Sequence, residues 1–131
     1  PYAAPPVGEF RWREPQPPPD WEGERSTQNF GSICPQNIRK TYPQWIKDHF
    51  DAVGTDEDCL TLNVWTPVEH DEPLPVMVYI HGGNMKLSAG SYPGYDGGIL
   101  GRDGVVLVTI NYRIGFLGRR TVSGHPYCDR L

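Results

Sequence analysis

Two apolar runs stand out along the chain, Val76-Met77-Val78-Tyr79-Ile80 and Val105-Val106-Leu107-Val108-Thr109-Ile110. Both are short and rich in β-branched residues, the pattern of strands buried on both faces. Leu60-Thr61-Leu62-Asn63-Val64-Trp65 instead alternates apolar and polar residues, which predicts a half-buried strand. Trp45, Ile46, His49, Phe50 and Val53 repeat at helical spacing and predict an amphipathic helix over 41–53. Thr41 is its candidate N-cap, Pro43 lies just inside, and Gly54 is placed to end it. Residues 1–23 carry prolines at 1, 5, 6, 15 and 17–19, which excludes helix interior and central strand. They predict an edge strand or a peripheral wrap anchored by Trp12 and Trp21. Residues 81–98 are glycine-rich and without periodicity.

Two doubly buried strands imply helices on both faces of a largely parallel sheet, hence an α/β architecture. The chain shows about three strands and one helix, too little to cover such a sheet. It therefore reads as the edge of something larger, with no linker and no internal repeat.

Composition narrows the function classes. Pro 14 and Gly 15 in 131 residues make turn and loop abundant, and the aromatic content argues against disorder. Net charge is −4 and no Lys/Arg block exceeds Arg119-Arg120, so a nucleic-acid partner is not expected. No apolar run approaches the roughly 20 residues of a membrane-spanning helix. Cys34, Cys59 and Cys128 form no C-x2-C pair and the four histidines are scattered, so neither a metal nor a cofactor is expected. The chain starts at Pro1 without a signal-peptide pattern, which reads as a processed or truncated start.

His81-Gly82-Gly83 follows a buried strand directly. Ligands of open α/β sheets bind outside the carboxyl ends of strands. Glycines there let backbone N–H groups approach a ligand, and an oxyanion hole is the known chemical use. The alternative is a glycine turn that serves the backbone alone.

Four blocks resemble the type-B carboxylesterase family of α/β-hydrolases, which includes carboxylesterases, cholinesterases and the non-catalytic neuroligins. They are Pro1-Tyr2-Ala3-Ala4-Pro5-Pro6-Val7-Gly8 with Phe10-Arg11-Trp12, then Glu57-Asp58-Cys59-Leu60-Thr61-Leu62-Asn63-Val64, then Pro75 to Gly83, and Asn111-Tyr112-Arg113-Ile114-Gly115-Phe116-Leu117-Gly118. The resemblance implies that 1–131 is the N-terminal segment of one α/β-hydrolase domain, with a mixed, mostly parallel sheet that is incomplete in this chain. It implies a Cys34–Cys59 disulfide, and with it an oxidising compartment, secreted or on the outer face of the membrane. It implies a buried Arg11–Glu57 salt bridge acting as a structural clasp. It places Gly82, Gly83 and Asn84 on the three-residue oxyanion motif, with Gly83 and Asn84 as backbone donors and His81 as scaffold. Asn84 departs from the usual third glycine.

No nucleophile is identified. Among Ser26, Ser32, Ser88, Ser91 and Ser123 none has glycine two residues before it, as a G-x-S-x-G elbow requires. Ser88-Ala89-Gly90 imitates half an elbow, but Lys86 occupies the preceding glycine site. His49, His70 and His125 read as surface or packing residues. Trp45 and Phe50 lie in the loop where cholinesterases bind a cation, but their context fits core packing better. Cys128 has no evident partner. The implied function is a carboxylic ester hydrolase acting through an acyl-serine in the full-length protein. A small-molecule ester is then the partner, and the 131-residue chain alone is inactive. The alternative is a neuroligin-like adhesion protein with a cell-surface partner.

Overall fold

The computed structural model describes residues 1–118; Arg119-Arg120, Ser123, His125 and Cys128 lie outside them. Three strands form one mixed sheet in the order β1-β3-β2: β1 (Leu62–Trp65), β2 (Val76–Ile80) and β3 (Val106–Ile110). β1 pairs antiparallel with β3, Leu62 opposite Ile110, and β2 pairs parallel with β3, Val76 opposite Val106. A parallel pair needs a long crossover, and residues 81–105 supply it.

The crossover contains a short helix, α2 (Gly98–Arg102), that no periodicity announces. Gly98 and Gly101 are poor helix formers; a side chain, Asp96, steadies the start by accepting the Gly98 N–H at 2.8 Å. The earlier helix, α1, runs Gln44–Val53, and Gly54 ends it at φ +80°. Its N-cap is Pro43 and not Thr41, because Tyr42 stands before a proline and is pushed out of the helical region. A one-turn helix, α3 (Gly115–Gly118), closes the described chain.

Burial departs from the sequence pattern at four places. On β1 the apolar Leu62 and Val64 are exposed and Asn63 and Trp65 are half-buried. β2 is exposed along its whole length, with Val76 and Ile80 about two-thirds accessible. Among the described residues it is the outer strand of the sheet, and from outside the sheet the Tyr95 ring meets that of Tyr79, centroids 4.7 Å apart. β3, in the middle, does bury Leu107 and Thr109. Trp12 and Trp21 are exposed anchors. Trp12 packs edge-on to Phe116 at 4.9 Å, and Trp21 lies under the Arg25 guanidinium. Trp45 is exposed at 57 % and meets the core edge-on at Tyr92, so the packing role falls to Ile46 and Phe50. The first residues form no strand; a 3₁₀ turn at Gly8–Phe10 carries the wrap.

Two small cores flank the glycine-rich loop. One gathers Ala3, Leu60 and Ile114 around Cys34 and Cys59, whose sulfurs are 2.04 Å apart. The other gathers Ile33, Ile46, Phe50, Ala89 and Tyr92 under α1. Ile33 ties the base of the disulfide loop: its N–H donates to the Gly54 carbonyl and its carbonyl accepts from Asp56.

Candidate active site

The chain leaves β2 through His81 and enters a loop of unusual backbone geometry. Gly83 has φ +116°, and a Cβ there would sit 1.5 Å from the Leu87 carbonyl oxygen. No other residue fits. Asn84 and Met85 follow at φ 54° and 55°. Asparagine tolerates this left-handed region better than most residues, whereas methionine pays about 1–2 kcal/mol for it. The Gly83 carbonyl accepts from both Lys86 and Leu87. Gly82, Gly83 and Asn84 are exposed, and their N–H groups donate to no acceptor among the described residues. A tight turn thus leaves successive backbone donors open beside a strand end.

Buried side chains hold this turn. His81 is 3 % exposed, stacks on Tyr112 with ring centres 4.3 Å apart, and brings Nδ1 to 2.9 Å from the Gly82 carbonyl. The Tyr112 hydroxyl donates to the His81 carbonyl. Burial lowers the His81 pKa below the ordinary histidine value, and the Gly82 carbonyl opposes this only in part.

Farther along, Gln36 grips Ser88: Oε1 accepts its N–H at 2.7 Å and Nε2 donates to its carbonyl at 2.9 Å. Asn111 accepts the Gly90 N–H at 2.8 Å and donates to the Ser32 carbonyl. Thr109 donates to the Gly90 carbonyl at 2.7 Å. Gln36 and Thr109 carry no sequence signal for this role, because their partners lie 52 and 19 positions away.

Ser88 is buried, with its hydroxyl 3.4 Å from that of Tyr95 and no histidine partner among the described residues. His49 and Ser91 do meet, Nε2 to Oγ at 3.0 Å. Ser91 is only 3 % exposed, so the pair fastens α1 to the loop instead of presenting a nucleophile. His70 sits in a surface turn near the Glu72 carbonyl. Arg11 and Glu57 form a bidentate pair, both contacts 2.7 Å, but their side chains are 48 % and 26 % exposed. The pair is not buried, because it sits at the rim of an open cleft.

The carboxylesterase family model matches residues 1–125. The chain belongs to the carboxylesterase family. Among curated relatives of this carboxylesterase-family chain, the fumonisin B1 esterase of Sphingopyxis macrogoltabida is 45% identical over 119 residues, covering 90% of the chain and 21% of that protein. Neuroligin-3 of Mus musculus is 39% identical, covering 90% of the chain and 18% of that protein. The chain therefore spans about a fifth of the length of these relatives. Among solved structures, a PNB esterase superposes with TM-score 0.74 at 43% identity, covering 88% of the chain and 22% of the other. The architecture is accordingly that of part of an α/β-hydrolase. No helix of the described residues is long and apolar enough to cross a membrane.

Proposed function

We propose that residues 1–131 are the N-terminal segment of one serine carboxylesterase domain, and that they contribute its oxyanion loop. The observation that carries this reading is the open pair of N–H donors at Gly83 and Asn84, held in a positive-φ turn at the end of β2. In such an enzyme a serine Oγ attacks the ester carbonyl and negative charge develops on its oxygen. The alcohol leaves, an acyl-serine remains, and water releases the acid. Gly83 and Asn84 would donate to the developing oxyanion. Gly83 also makes the positive-φ turn, Gly82 leads into it, and His81 acts as a positioning residue. The 131-residue chain alone is inactive on this reading, because none of its serines carries the elbow motif.

The substrate class is a small-molecule carboxylic ester. The disulfide supports a secreted or outward-facing location. A second reading, a neuroligin-like adhesion protein, is supported by the neuroligin-3 relative and by Asn84 in place of glycine. The coding sequence downstream of Leu131 tests both. The esterase reading expects G-x-S-x-G, then an acid, then a histidine. Replacement of the serine or histidine would favour the adhesion reading and a cell-surface partner.

A further inference from the structure

A cleft of about 460 Å³ opens beside the oxyanion loop. Its charged lining is Arg11, Arg39 and Lys86 against a single acid, Glu57. Arg11 is committed to Glu57 by the bidentate contact. That leaves Arg39 and Lys86, whose side chains make no hydrogen bond or ion pair among the described residues. Two uncompensated cations in one concavity stand out in a chain of net charge −4.

The cleft meets the loop at Lys86. Lys86 lies in the loop itself, and its N–H donates to the Gly83 carbonyl at 3.0 Å. Gly115, which also lines the cleft, donates to the Met85 carbonyl. Gly83 and Asn84 do not line the cleft themselves, but Lys86, two residues on in the same turn, does. Phe116 adds an apolar wall suited to a short carbon chain.

We infer that this cleft binds a free carboxylate carried by the substrate, so that the preferred esters are anionic, such as half-esters of dicarboxylic acids. The inference rests on the esterase reading for its place in catalysis, but the binding itself does not. The arginine fork matches a planar carboxylate with two parallel donors, and the lysine adds a mobile point charge. Clefts lined by one sign of charge also concentrate counter-charged ligands, an effect that weakens with salt.

The test uses the full-length protein and glutarate as probe, with binding followed by calorimetry at low and at physiological salt. Glutarate should bind, more weakly at higher salt, and Arg39→Glu with Lys86→Glu should weaken it by at least about tenfold. The charge-keeping pair Arg39→Lys with Lys86→Arg should retain binding; if the reversed pair fails to fold, Arg39→Gln alone replaces it. Absence of glutarate binding, or binding indifferent to charge reversal, overturns the inference. Hydrolysis of mono-4-nitrophenyl glutarate and of 4-nitrophenyl butyrate separates the two readings. The glutarate-to-butyrate ratio of kcat/KM should fall about tenfold on charge reversal. Turnover of both esters with an unchanged ratio removes this inference and leaves the esterase. Charge-dependent glutarate binding without turnover of either ester does the reverse.

Discussion

The side-chain amide of Gln36 and the backbone of Ser88 satisfy one another in both directions, at 2.7 and 2.9 Å. The same Nε2 also donates to the Cys34 carbonyl at 3.0 Å. One residue thereby couples the disulfide core to the far limb of the glycine-rich loop. Each such partly buried bond contributes about 0.5–1.5 kcal/mol, and stranding its partner costs more. Gln36→Ala should therefore lower unfolding stability by about 1–3 kcal/mol in urea. Gln16→Ala, whose side chain makes an exposed bond to the Glu14 carbonyl, should change it little.

Gly83 is the least replaceable position of the loop. Alanine would place its Cβ on the Leu87 carbonyl and hold a strained φ as well. The turn must open, and the donors move with it. On the proposed esterase reading, where losing one oxyanion donor costs about 10²–10³ in kcat, Gly83→Ala in the full-length protein should lose at least that much ester turnover. Asn84→Gly keeps the N–H and should retain activity.

The disulfide closes a loop with a sequence separation of 25. Its removal should cost about 3.5 kcal/mol on a loop-entropy basis. Intact mass should rise by two hydrogens on reduction, and the unfolding midpoint should fall in the same sample.

The Arg11–Glu57 pair invites a different magnitude from the one its sequence context implies. A buried pair broken on one side costs about 3–5 kcal/mol, but an exposed pair is worth about 0.2–1 kcal/mol. With side chains at 48 % and 26 % exposure, Glu57→Gln should cost about 1 kcal/mol or less. A drop of several kcal/mol in urea unfolding would contradict the surface assignment.

His81 and His49 both have pKa values lowered by burial. The unfolded chain then binds more protons than the folded one below the ordinary histidine value of about 6.5. Their contribution to stability is complete above that pH and is lost as pH falls through the lower folded values. The melting temperature should decline on going from pH 7 to 5, and His49→Gln should flatten the decline. A midpoint independent of pH over that range would refute it.

Periodicity and residue type make the three strands and α1 legible, because each is a local pattern. Burial follows it on β3 and on one face of α1, but not on β1, where Leu62 and Val64 are exposed. The loop's place at the end of β2 was legible for the same reason. Burial of β2 and Trp45 was not, since hydrophobicity records what a residue seeks and not which neighbour supplies it. The clamps from Gln36 and Thr109 leave no mark in the sequence because they are long-range contacts of ordinary polar side chains with backbone groups. The exposure of Arg11–Glu57 depends on what surrounds the pair, and a motif carries no such information.

The most direct test of the central claim is turnover of 4-nitrophenyl butyrate by the full-length protein, before and after treatment with a fluorophosphonate. We predict hydrolysis with stoichiometric labelling of one serine outside residues 1–131, and loss of activity on labelling. A folded full-length protein that neither hydrolyses the ester nor takes up the label would contradict the account and leave the fold as a binding scaffold.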